Sequence, residues 1–121
     1  MSTRAQIRFA TREIGVSFND HPKVINAQFY NHSDGYPEGL GLEIAESLTK
    51  YSKISGWEIE PLHVKHADLE YIYYIWQHPM KDTWISIFEV KPFEDSVGQC
   101  IFVGTPEKLI NKYKQNTNND G

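Results

Sequence analysis

The chain of 121 residues carries 12 Lys and Arg against 16 Asp and Glu, a formal charge of −4, with 40% hydrophobic and 13% aromatic residues. That length suits one domain able to bury a core without metal or disulfide help, and the proportions argue against a disordered or fibrous chain. The mildly acidic balance weighs against broad affinity for a nucleic-acid polymer, which needs a basic face, while leaving room for a local basic pocket.

Residues 4–9, RAQIRF, alternate so that Ala5, Ile7 and Phe9 fall on the buried face of a strand and Arg4, Gln6 and Arg8 on the other. EIGVSF, residues 13–18, repeats the alternation, and the turn cluster NDHP leads into KVINAQFYNH. Three consecutive strands with short links predict an antiparallel meander. From Pro37 the period changes, because Leu40, Ile44, Leu48 and Tyr51, widened by Leu42 and Ala45, form a helical stripe. This predicts an amphipathic helix of about four turns, with Pro37 and Glu38 suited to its first turn.

WEIEPLHVKHADL offers a short strand from Trp57, Ile59 and Leu62, with Pro61 at an edge or bulge. EYIYYIWQ and TWISIFEV are β-rich and joined by HPMKDT, which predicts a hairpin. QCIFVG, apolar on both faces, reads as a central strand, and TPEKLINKYKQ as a helix with Thr105 as N-cap and Pro106 at its first position. The expectation is a single α+β domain over residues 1–115, an antiparallel sheet of about five to six strands with two helices on one face, and a flexible tail at 116–121. Tyr30, Tyr71, Tyr73, Trp84 and Phe88 are too many for one small core, so an aromatic sheet face left uncovered by helices is expected, available to a ligand or another subunit.

Several residues invite chemistry. His63, His66 and Asp68 suggest a metal, but no thiol or carboxylate cluster accompanies them, and they read as histidines on a connecting segment. Cys100 is a lone thiol inside an apolar strand, where it stays protonated, and it suits a reducing cytoplasm. Ser33, His32 and Asp34 are loop neighbours that cannot make the sequential bonds of a triad. No stretch has the length of a signal peptide or a membrane span, so a cytoplasmic protein is expected. The loop NHSDGYPEGLG, residues 31–41, stands apart. Gly35, Gly39 and Gly41 remove side chains at a helix start, where backbone N–H groups could receive a phosphate. Glu38 and Glu43 oppose an anion there, and Asp34-Gly35 reads equally well as a turn.

The opening MSTRAQIRF and the segment FYNHSDGYPEGLGLEIAESL resemble small phage and prophage proteins that begin with a Ser-Thr-Arg strand and carry a Tyr-x-His-x-Asp-Gly-Tyr loop before a helix. The matching residues are Ser2, Thr3, Arg4 and Ile7, then Tyr30, His32, Asp34, Gly35, Tyr36, Gly39 and Gly41, within roughly the first 50 residues. Through them the chain resembles the first anti-Thoeris family, phage proteins that absorb the cyclic ADP-ribose signal of a bacterial TIR-based defence. The resemblance implies a non-enzymatic sponge in the host cytoplasm, without a cofactor, assembled as a dimer or a multiple of dimers. The C-terminal half departs from that pattern: HPMKDT and KPFEDS stand where an arginine-bearing segment would follow the aromatic strands.

The expected site thus has Arg4, Arg8 or the helix start at Gly35 and Gly39 meeting a pyrophosphate. Tyr36 or Trp84 would stack on adenine, and His32 and Asp34, beside Tyr30, would bond ribose hydroxyls or fix the loop. No catalytic or metal-binding residue is expected. Two alternatives stand beside it: a protein-interaction module using the aromatic face, and a nucleotide-cleaving enzyme using His32 with Asp34, or His63 with His66.

Overall fold

The computed structural model describes residues 3–12, 17–49, 56–62, 64–78, 80, 82–91 and 98–118. β1 (Arg4–Thr11), β2 (Val24–Asn31), β3 (Trp57–Glu60), β4 (Leu69–Gln77), β5 (Thr83–Glu89) and β6 (Gln99–Gly104) form one sheet in the order β3-β2-β1-β4-β5-β6. Helix α1 (Leu42–Thr49) is entered through a π-type turn, Pro37–Gly41, and α2 (Pro106–Asn118) closes the chain. The fold is α+β, with both helices on one face of the sheet.

Every neighbouring pair of strands is antiparallel except β1 and β4, which run parallel and make the sheet mixed. A parallel pair needs a long crossover, and here β2, α1 and β3 supply it. Of the strand expected at 13–18, residues 13–16 lie outside the described residues. Ser17 and Phe18 belong to a turn closed by the Asp20 N–H to Ser17 O at 3.1 Å. Among the described residues β1 pairs with Val24–Asn31.

The alternation in β1 holds: Ala5 and Ile7 point into a core completed by Leu40, Ile44, Ala45, Tyr73, Ile75, Ile85, Ile87, Leu109 and Tyr113. Fully burying an aliphatic side chain of this kind contributes about 1.5–3 kcal/mol, so this layer contributes much of the stability. Leu48, expected in the helical stripe, is exposed, and Tyr51 lies outside the described residues. Thr105 caps α2 as its sequence implies, with Oγ1 accepting from the Lys108 N–H at 3.3 Å. The helix continues through Asn118, past the point where the tail was expected to begin.

The helix-free face corrects the sequence reading. Tyr71 and Tyr73 pack toward the helices, whereas Tyr30, Tyr74, Trp76, Trp84 and Phe88 share the opposite face. That face is not bare. Phe18 and His21, from the stretch between β1 and β2, lie on Trp76, Trp84 and Phe88, and Val64 and His66, after β3, reach Gln6, Gln28 and Tyr30. Trp76 is 2% exposed and Phe88 1%, while Phe18 above them is 39% exposed, so much of the aromatic face is covered by the protein's own side chains.

Candidate functional site

The glycine loop is built for close docking onto β1. Asp34 takes a left-handed backbone (φ 56°), which Asp tolerates better than most residues. It turns the chain so that the Gly35 N–H donates to Thr3 O at 3.0 Å and Gly35 O accepts from the Tyr73 hydroxyl at 2.6 Å. A Cβ at Gly35 would come within 2.9 Å of both Ala5 Cβ and Thr3 O, and one at Gly39 within 2.6 Å of Asp34 O. The Gly39 and Leu40 N–H groups donate to Tyr36 O and Asp34 O, each at 2.9 Å. The amides of Gly35, Gly39 and Leu40 are therefore committed inside the protein, and these two glycines answer to packing.

The other expected site residues scatter. Tyr36 and Asp34 are exposed and meet only weakly, hydroxyl to Oδ1 at 3.4 Å. Arg4 pairs with Asp68 at 3.1 Å, both partly exposed, so its charge is already matched. Tyr30 is buried, with His66 stacked on it (centroids 3.9 Å apart) and His32 edge-on at 4.6 Å. His32 reaches Glu58 at 3.1 Å. Trp84 stacks on His78 at 4.4 Å beside Trp76 and Phe18. Gly35 sits at Thr3, whereas Trp84 is paired through Trp76 to Ala10. Seven residues of strand separate them, roughly 23 Å at the usual rise, and they lie on opposite faces of the sheet. One subunit does not bring the nine residues together.

Arg8 alone stands at the centre of a connected group, and most of its neighbours were not anticipated. Its guanidinium donates from Nη1 to the Tyr74 hydroxyl and from Nη2 to Gln6 Oε1, each at 2.7 Å. Its Nε–H is buried without a partner, and no carboxylate reaches it among the described residues. Gln6 passes the connection on, because its amide donates to Glu60 Oε1 at 2.9 Å and to Val64 O at 3.0 Å. Gln28 donates to the same Glu60 oxygen at 2.9 Å, and His66 meets the other carboxylate oxygen at 2.7 Å. Burial by itself would raise the Glu60 pKa, but bonds from His66, Gln28 and Gln6 outweigh it and hold the carboxyl below its ordinary value.

In the other direction the Tyr74 oxygen lies 2.6 Å from His21 Nδ1. Burial pushes the Tyr74 pKa up more strongly than the Arg8 charge pulls it down, so the phenol keeps its proton. Its oxygen accepts from Arg8, which leaves its own proton available for His21 Nδ1. The His21 ring lies flat on Phe88, centroids 3.8 Å apart and planes 23° from parallel. Arg12 continues the same face: its guanidinium sits 4.5 Å from the Trp76 ring centre and donates to Ser17 O at 2.9 Å and Asp20 O at 2.8 Å. Burial lowers its pKa.

One sequence feature could have found Arg12: the polar positions Arg4, Gln6 and Arg8 continue with the same parity to Arg12. Nothing local marked Gln28, Glu60, Tyr74 or His21, which the fold recruits from four separate segments.

The group is suited to binding an anion beside flat rings. Burial raises the Cys100 pKa, which favours the protonated thiol. His63 lies outside the described residues, and among the described ones no three His, Cys, Asp or Glu side chains converge as metal ligands. Nor is any described helix long and apolar enough to cross a membrane. No protein-family model, curated protein or solved structure matches this chain.

Proposed function

We propose that this protein binds and holds, without cleaving it, a small anionic nucleotide of the cyclic ADP-ribose type. It does so in the cytoplasm of an infected bacterium, as an oligomer built from dimers, and thereby silences a TIR-based (Thoeris) defence signal. The observation that carries the reading is Arg8, a partly buried cation whose two bonds go to neutral partners among stacked rings. The planar guanidinium fork of an arginine in such surroundings gains most from an anion that accepts through two oxygens, such as a phosphate, and aromatic neighbours favour a guest that also carries a base. The resemblance of the N-terminal half to anti-Thoeris proteins narrows that class to the cyclic nucleotide.

The test is retention followed by release. Purified protein is mixed with extract from cells producing the TIR signal, washed and heated, and the supernatant is analysed by mass spectrometry. Intact cyclic nucleotide released from the native protein, and at least tenfold less from Arg8→Ala, is the expected result. Recovery of a linear product would indicate cleavage. No nucleotide in any form would end the proposal.

A further inference from the structure

The His21 imidazole is a flat nitrogen heterocycle stacked on Phe88 at 3.8 Å, and its Nδ1 faces the Tyr74 hydroxyl at 2.6 Å. That hydroxyl is also where Arg8 Nη1 donates at 2.7 Å, so a single phenol oxygen separates the heterocycle from a guanidinium that no described carboxylate matches. His21 is only half-buried, whereas Tyr74 and Phe88 beneath it are 1% exposed each. The imidazole is therefore the outer layer over a slot with an aromatic floor, a hydroxyl that can donate to a ring nitrogen, and a cation alongside. We infer that this is a heterocycle-binding slot which the protein fills with its own His21, and that the base of a nucleoside phosphate displaces the imidazole, stacks on Phe88 and accepts from Tyr74 while its phosphate meets Arg8.

The inference rests on the nucleotide reading and specifies it. The base lies against Phe88 instead of Tyr36 or Trp84, and the free protein carries an internal competitor. A guest that binds only when His21 is out has its apparent affinity reduced by the fraction of time the slot is empty. The carbonyls of Ser17 and Asp20, held by Arg12, tie down the turn that precedes His21.

The probes are cyclic ADP-ribose and ADP-ribose, which carry the base, and ribose 5-phosphate, which carries only sugar and anion. Calorimetric titration of His21→Ala, checked for native fold by its amide spectrum, is expected to show a gain of about tenfold for the base-bearing probes and none for ribose 5-phosphate. In the native protein the His21 Hε1 resonance, shifted upfield by the Phe88 ring, is expected to move toward its unstacked position as ADP-ribose is added, and this holds as a test even if the variant misfolds. Nucleotide binding with no gain in the variant and an unmoved His21 resonance would overturn the slot and leave the nucleotide reading standing. An equal gain for all three probes would likewise overturn it, by showing only a cleared path to Arg8. Absence of binding by every probe to both proteins would overturn the slot and the nucleotide reading together.

Discussion

The two faces of this one sheet are stabilised by different means. Toward the helices, Ile7, Leu40, Ile44, Ile85, Ile87 and Leu109 interlock in a mostly aliphatic layer, and the buried Tyr73 hydroxyl within it finds Gly35 O. On the other face, a chain of bonds runs from His66 through Glu60, Gln6 and Arg8 to Tyr74 and His21, tying two covering segments to the strands. An apolar layer tolerates no gap, while a polar chain fails wherever one partner is removed. The first arrangement fixes the fold. The second leaves a cation with spare hydrogen-bonding capacity, and it is there that binding is sought.

The largest effect expected from this contrast comes from the apolar side. Ile44→Ala, at a position with no exposure, should cost about 2–5 kcal/mol of unfolding free energy, the usual range for a large-to-small change in a closed core. Urea denaturation reads it directly. A loss below 1 kcal/mol would mean that the helix layer can collapse around the gap and that the faces differ less than their packing implies.

Next comes the docked glycine loop. Gly39→Ala places a methyl 2.6 Å from the Asp34 carbonyl oxygen, a backbone atom with no rotamer to yield. Overpacking of this kind costs about 1–3 kcal/mol, and the loss should appear in thermal unfolding whether or not ligand is present. A variant of native stability that no longer retains nucleotide would reverse the assignment and return the loop to the ligand site.

How far the sequence reveals these two faces depends on how local their causes are. Alternation in RAQIRF, the period change at Pro37 and the Thr105-Pro106 helix start act within a few residues, and all three are realised. β4, LEYIYYIWQ, is apolar on both faces, so a period of two cannot tell which tyrosines face the helices, and Tyr73 and Tyr74 were separable only once β1 and β5 flanked them. The parallel register of β1 with β4 joins segments more than 60 residues apart and leaves no local mark. The site suffers most from this. Arg8 stands out as a candidate because it alternates, but the network around it draws on β2, β3, β4 and the turn before β2, and the glycine loop, read as an opening for a phosphate, has Gly35 and Gly39 packed closely on Ala5, Thr3 and Asp34.

A smaller effect, dependent on pH, should come from Glu60. Its carboxyl is held below the ordinary glutamate pKa in the folded protein, so its contribution is fully present above the unfolded-state value and is lost as pH falls through the lower folded-state value. Glu60→Gln replaces one acceptor oxygen by a donor facing Gln6, Gln28 or His66. At neutral pH it should cost about 1–3 kcal/mol, and the decline in stability on the acid side of the native curve should become shallower. Parallel acid limbs for the two proteins would show that the carboxylate does not hold this face together.

The smallest expected change separates Arg4 from Arg8. Arg4 and Asp68 form an ion pair with side chains 40% and 35% exposed, and pairs so open to water contribute about 0–1 kcal/mol and weaken with salt. Asp68→Asn should therefore shift the denaturation midpoint little, with the difference vanishing at high ionic strength. Its value lies in what it frees. If Arg4 belonged to the ligand site, releasing it from its carboxylate would strengthen nucleotide retention at low salt. If the anion is met by Arg8, on the same face of β1 but four residues further along, retention should stay within twofold of native, a difference of about 0.4 kcal/mol. A marked gain would move the anion site to the end of the sheet where Tyr30, His32 and Glu58 cluster.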